Sequence, residues 1–562
     1  MAENYTHFKP ESLYSPTSPE SRELSEKKEM EFVVDPSSGE IVKIGDPRDV
    51  REWLEAQKQK DPSLIISVSE GGVALPGFTD SHHHLLYATL DVIEAGWVGG
   101  AESSEAIKRN IEEGIKDTDK MIPKVFLGHN TASVPEIWKK DLDQISPQKP
   151  IALVDASFHG SRLNSSMLKL LAEVIEKEKE AGRRIAGSLD AKTGQATEGY
   201  AILAIQVAES YYGIDKISEK MVEKLDSWIG QGITDIHEMF PMSWDDFVAT
   251  LMTKKSWEKE SGARFPVRQI FMTPDLINQL MEKQKELQDS GLFDPNRDWQ
   301  LMGMKLVADG SFGSHTAMIK EPYATTGGKG VEFNSLKELN KAIRMARDIG
   351  LEKIAMHAIG DAGVGRAIET AKEWRKIAEQ GKVDSSRFRI EHFELPGQKN
   401  IETAGEMGLW VSSQPNFLTD FVYKDRLSGR VTQICPHAEM LQKGVQMHFG
   451  SDGMPTSALF GIWAATHHPN PNQRISFEQA LAAYSLTAAD YERDPKRGRI
   501  AEGASADIVV LNKQTVGAML EGAGTAEELA EMGGESKVLE SKVSELEAGI
   551  AKIYRQGRLV KK

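Results

Sequence analysis

Cysteine is almost missing from this chain: Cys435 is the only one in 562 residues. A single thiol closes no intrachain disulfide and argues against a zinc–thiolate site. Long apolar runs are missing as well. No window approaches the roughly 18 to 20 apolar residues that a membrane-spanning helix needs, and the first 30 residues hold no apolar core of a secretion signal. The default reading is cytoplasmic. Positive charge is in deficit, with 68 Lys and Arg against 84 Asp and Glu and a formal net charge of −16. Such a balance repels nucleic acid and anionic membranes, so neither is expected as a partner. A small molecule is the expected partner, and a homo-oligomer is left open.

What is present describes an ordinary globular protein, 40% hydrophobic and 27% charged. The length exceeds the roughly 250 residues of a single barrel, so additions to one are expected. Eight short apolar segments, followed mostly by helical patterns, lie at 73–79, 232–236, 267–271, 302–307, 353–357, 388–392, 409–413 and 445–449. That alternation predicts an α/β fold, a (β/α)8 TIM barrel over 73–497. The interval of about 95–230 is too long for one connection and reads as an insertion after strand one. Residues 1–30, rich in Pro, Ser, Glu and Lys, read as irregular. Segments 31–72 and 498–562 carry strand patterns and predict a small β-sandwich domain composed from both chain ends, with 515–548 as a surface helical insertion.

Chemistry concentrates where strands end. In Pro76-Gly77-Phe78-Thr79-Asp80-Ser81-His82-His83-His84, the first and third histidines share one side of an extended chain. Two imidazoles aimed at one point begin a divalent-metal site, with zinc the first expectation. His83 faces the other way and is expected to pack behind the strand. In a barrel of this kind, active groups sit at the C-terminal strand ends. There the sequence offers Lys305 on strand four, His357 on five, His392 on six and Asp452 after eight. A structural alternative for Lys305 is a buried ion pair with Asp309. His448 reads as core, and the pair His467-His468 as loop surface or pocket rim.

Six ordered motifs carry a resemblance: Pro-Gly-Phe-Thr-Asp-Ser-His-His-His (76–84), Met-Lys-Leu-Val-Ala-Asp-Gly-Ser-Phe-Gly-Ser-His-Thr-Ala (304–317), His-Ala-Ile-Gly-Asp (357–361), Arg-Ile-Glu-His (389–392), Ser-Gln-Pro-Asn-Phe (413–417) and Gly-Ser-Asp (450–452). Together they resemble the amidohydrolase superfamily, and within it amidohydrolase family 3, the branch that includes N-substituted formamide deformylase. The resemblance implies two divalent ions, with zinc the expected metal. His82, His84 and Asp452 would hold one, His357 and His392 the other, and a CO2-derived carbamate on Lys305 would bridge them. It implies that Asp452 takes a proton from the attacking water and returns it to the leaving nitrogen. It also implies that His159, in a segment where Gly160 and Arg162 replace the family's usual Ser and Trp, lines the pocket, with a structural role the equal alternative; His315, Tyr323 and Phe417 are weaker pocket candidates, for which packing is the favoured reading.

The expected function is hydrolysis of a non-peptide carbon–nitrogen amide bond in a small molecule, such as an N-substituted formamide or N-acyl amine. A lactone- or ester-cleaving hydrolase would use the same groups. A mononuclear deaminase ranks lower, because the glutamate such enzymes carry three residues after the strand-five histidine is here Gly360. A non-catalytic relative would show lost ligands, and none is lost.

Overall fold

The computed structural model describes residues 4–16, 18, 21–98, 103–116, 122–129, 137–155, 159–180, 185, 187–521, 524–533 and 537–561. At its centre are eight parallel strands: β1 (Phe78–His83), β2 (Ile233–Glu238), β3 (Val267–Met272), β4 (Met302–Val307), β5 (Ile354–Ala358), β6 (Phe388–His392), β7 (Trp410–Ser413) and β8 (Gln446–Phe449). Each pairs with its neighbour in chain order. The seam between β8 and β1 is drawn together by side chains and the turn after β8. Ser81 Oγ donates to Phe449 O at 2.6 Å, Ser451 N to Asp80 Oδ1 at 2.8 Å, and Asp452 N to His82 O at 2.7 Å. Both faces of these strands are covered, so β2 is buried along its whole length, as strands of a parallel barrel are.

The surrounding helices start where their caps say they should. Ser335 and Glu338 form a capping box at the head of Leu336–Asp348. Thr273 caps Pro274–Asp289, with proline at the first helical position, where no donor is missed.

The first strand departs from the sequence expectation. Segment 73–79 is not one barrel strand: Val73–Pro76 belongs to a different sheet, and β1 begins at Phe78. Gly77 is the joint. A Cβ there would lie 2.6 Å from Thr234 Oγ1 and 3.1 Å from Asp507 Cβ, so the chain passes from one sheet to the other only without a side chain.

Residues 4–28 are a second departure, because they are not irregular. Asn4–Lys9 lies between Glu31–Asp35 and Ile65–Glu70 in a four-stranded sheet completed by Glu40–Gly45. Ser12–Pro16 and Leu24–Lys28 complete a six-stranded sheet with Val73–Pro76, Ile508–Leu511, Ile550–Arg555 and Arg558–Lys561. These strands bury a few large residues each: Phe8 stacks on Phe32 with centroids 4.5 Å apart, and Leu13 is fully buried. Partners far along the chain cover them, so a polar local composition conceals them.

Between β1 and β2 the chain builds a further six-stranded sheet, with Lys124–His129 and Ile151–Asp155 as adjacent parallel strands. Near the other end, helices Lys513–Leu520, Ala526–Glu531 and Lys537–Glu547 are not simply a surface addition. Leu529, Met532, Leu539 and Leu546 are buried, and the helices pack on 415–423 and 458–466. His467 and His468, which the sequence alone puts at a loop surface or pocket rim, are both buried, His467 beneath that cover. His467 Nε2 meets Glu521 O at 2.9 Å and His468 Nε2 meets Ile434 O at 3.2 Å. Among the described residues, no helix is long and apolar enough to cross a membrane.

Candidate metal centre

The side chains singled out at the strand ends converge. His84 Nε2 lies 3.0 Å and His82 Nε2 3.7 Å from Asp452 Oδ1. Among the described residues, His82, His84 and Asp452 place their ligand atoms within 4.8 Å of one another, close enough to hold one ion. His392 Nδ1 approaches Asp452 Oδ2 at 4.0 Å. The imidazoles form a continuous run. Centroid separations are 5.4 Å for His84–His82, 4.6 Å for His82–His392, 4.3 Å for His392–His357 and 5.7 Å for His357–His159.

Local backbone makes this convergence possible. In β6, Arg389 and Glu391 point into the barrel while Ile390 joins the outer core. Simple alternation would turn His392 away from the axis. Instead His392 and Phe393 adopt φ of 70° and 53°, and the chain folds the imidazole back over the barrel mouth. Asp452 is also left-handed, with φ of 55°. Such backbone costs about 1–3 kcal/mol per residue and tends to persist at functional sites.

Burial holds His82, His357 and His392 well below the ordinary imidazole range, with the charge of Lys305 adding to the effect in each. Neutral imidazoles are what a divalent ion requires. Nδ1 of both His84 and His392 is buried without a hydrogen-bond partner. His357 Nε2 lies 3.1 Å from Gly310 O. Lys305 is buried among these rings, and burial draws its amine down to about 8. The ion pair with Asp309 does not form among the described contacts. Asp309 instead accepts backbone N–H groups from Met318, Ile359 and Gly360 at 2.8–3.0 Å.

The weaker candidates separate. Phe417 stacks on His392, centroids 5.7 Å apart and planes at 6°. His159 reaches the run of imidazoles from the inserted sheet, with Nδ1 2.6 Å from Glu198 Oε2. Burial opposes charge on His159, but Glu198 outweighs it and the pKa is raised. His315 and Tyr323 are engaged in their own loop: His315 Nε2 meets Thr325 Oγ1 at 2.9 Å and Tyr323 donates to Ala317 O at 2.9 Å. His83 is fully buried against Trp228, as expected, and His448 is buried beside Ser81.

Several supporting acids were missed in the sequence. Asp80 accepts from Ser451 Oγ at 2.5 Å and from the backbone of Ser451 and His82. Glu238 accepts from the N–H groups of Leu85 and Phe240, which fixes the turn after His84. Glu391 receives His82 Nδ1 at 2.6 Å. Asp80 and Glu391 both lie inside quoted motifs, but their partners are remote in sequence, and spacing alone does not reveal them.

A family model for the amidohydrolase family matches residues 69–521. The chain is 26% identical over 473 residues to the putative amidohydrolase YtcJ of Bacillus subtilis (strain 168), covering 79% of this chain and 84% of that one. It is 21% identical over 516 residues to the N-substituted formamide deformylase of Arthrobacter pascens, covering 85% and 90% respectively. Among solved structures, an uncharacterized metal-dependent hydrolase from Pyrococcus horikoshii OT3 superposes with a TM-score of 0.66 at 21% identity, over 91% of this chain and 97% of that one. At that identity the structural likeness is one of fold.

Proposed function

The chain belongs to the amidohydrolase family, and from that premise we propose that it hydrolyses the amide bond of a small N-acyl or N-formyl amine with two divalent ions bound at the barrel mouth. The observation that carries this is the meeting of His82, His84, His357, His392 and Asp452 around a buried lysine. Imidazole and carboxylate donors without thiolate suit zinc. His82, His84 and Asp452 would hold one ion and His357 and His392 the other. Lys305, as its carbamate, would supply a shared anion. The amine adds to CO2 and releases one proton, and burial keeps part of the amine neutral for that step. When bound, the metals lower the pKa of water and polarise the substrate carbonyl.

The protein's own groups then do the rest. Asp452 Oδ1 and Oδ2 face His84 and His392, which supports a role for its carboxylate in taking a proton from the attacking water. The same carboxyl would return that proton to the leaving nitrogen. His159, whose pKa Glu198 raises against the opposing effect of burial, would face the substrate oxygen from the side of the insertion. Phe417 would form an apolar wall beside His392. A deaminase-type glutamate has no room three residues after His357: a Cβ on Gly360 would lie 2.1 Å from Met318 O.

The test is zinc reconstitution in bicarbonate, elemental analysis, and a panel of N-formyl and N-acyl amines assayed for free amine. About two ions per chain and amine release are expected. Reconstituted protein that holds no metal, or that releases no amine from any member of the panel, would refute the reading.

A further inference from the structure

Beneath the candidate metal centre the barrel interior holds a set of buried charged side chains beside an apolar cluster of Met239, Phe271, Ala355, Trp410 and Tyr491. Glu391 is fully buried, with one oxygen 2.6 Å from His82 Nδ1 and the other 2.5 Å from Arg389 Nε. Arg389, also fully buried, reaches His237 Nδ1 at 2.8 Å and Ser81 O at 2.7 Å. His237 Nε2 meets Glu492 Oε1 at 2.9 Å. Glu492 pairs with Arg497, and Arg497 Nη1 reaches Asp235 Oδ2 at 2.8 Å. Arg264 joins Asp235 to Asp507, each at 3.1 Å. A continuous column of hydrogen bonds and ion pairs therefore runs down the barrel, from His82 to the segment entering Ile508–Leu511.

A buried charge is expensive unless it is paired, and replacing such a column with apolar residues would be neutral or stabilising in many proteins. Stability alone is a weak reason for it to exist. Its upper end suggests another. A ring whose Nδ1 is held by a carboxylate is fixed in one tautomer and one orientation, and its Nε2 becomes the more basic donor. Here Nε2 of His82 is the atom that faces Asp452.

We infer that Glu391 is a positioning residue for metal binding, and that Arg389 and His237 aim and charge-balance it from below. The inference rests on the metal reading proposed above. Glu391 touches neither substrate nor reacting water; it acts through His82. Removing it should weaken metal binding by roughly 10- to 100-fold, and the effect should fade for changes further down the column.

The experiment measures zinc affinity of metal-stripped wild type, Glu391→Gln and Glu492→Gln by competition with a chromophoric chelator, with the fold of each zinc-free protein checked by circular dichroism. Glu391→Gln strands the Arg389 charge, so Arg389→Met/Glu391→Gln is made alongside it. Expected are a 10- to 100-fold loss for both Glu391 variants and a smaller loss for Glu492→Gln. A folded Glu391 variant binding zinc within about threefold of wild type overturns the inference. So does failure of both Glu391 variants to fold, which would assign the residue to folding rather than ligation. Wild type that binds no zinc would instead overturn the functional reading on which this rests.

Discussion

Asp452 is where ligand and proton carrier would be one side chain, and the two roles separate on substitution. Asp452→Asn keeps the shape and one weak donor oxygen but neither accepts nor returns a proton. Turnover of amides should fall roughly 100-fold or more, while esters with good leaving groups should suffer less, because they depart without protonation. Parallel assays of both substrate types, with metal content measured, check this; unchanged amide turnover at full metal content excludes Asp452 as the proton carrier. Lys305→Ala should lose most activity and part of the metal, and added short carboxylic acids should restore some of both by replacing the shared anion. Full activity in Lys305→Ala without additives would make the lysine structural. At this scale the candidate centre was legible because its residue types are rare at strand ends: a histidine or lysine there has little to do in an apolar core. Glu391 and Asp80 were not legible as supports, since their partners, His82 with Arg389 and Ser451, are recognised only once the barrel closes.

Among elements, the inserted segment is fastened to the barrel by an acid pair. Glu209, at the end of helix Gly199–Glu209, lies against Asp246 in helix Trp244–Ser261. Ser243 Oγ donates to Glu209, and Thr89 Oγ1 and Met242 N donate to Asp246, with Asp245 as a further nearby acid. Burial, followed by the charge of Asp246, pushes Glu209 up to about 9. A raised acid pKa means that the folded state keeps a proton the unfolded chain has lost. The contribution of Glu209 is therefore complete below about pH 4.5 and is lost as pH rises through about 9. Glu209→Gln holds a neutral group in the same place. Its melting temperature should match wild type near pH 4 and exceed it by a growing margin up to pH 9; a constant difference across that range would show that the pair is not protonated. The barrel strands themselves were readable from apolar runs, but the boundary at Gly77 was not, because the apolar run Val73–Phe78 crosses from one sheet into the next without a break in its pattern.

For the whole molecule, the proposed centre would draw donors from β1, β4, β5, β6 and the turn after β8, so metal should act as a cross-brace between segments separated by hundreds of residues. Stripping with a chelator should lower the apparent melting temperature, and zinc at about 100 times its dissociation constant should restore about 2.7 kcal/mol per site. An unchanged melting curve, measured by calorimetry with and without chelator, would mean that the donors are preassembled without the ion. The barrel was legible from alternating elements at this scale. The strands at 4–28 were not, because strands recognised by partners near residues 31, 65 and 73 carry too short an apolar pattern of their own.

The sheet that joins both ends of the chain has a consequence in time. Val73 pairs with Leu511, about 440 residues later. At a synthesis rate of about 5–20 residues per second, Val73–Pro76 emerges roughly 20–90 seconds before its partner exists. For that interval an emerged apolar strand beside Ser12–Pro16 has an unpaired edge. Chains stalled on the ribosome near residue 497 should therefore be cut by protease within 4–76 and bind holdase chaperones, while chains extended past 561 resist both.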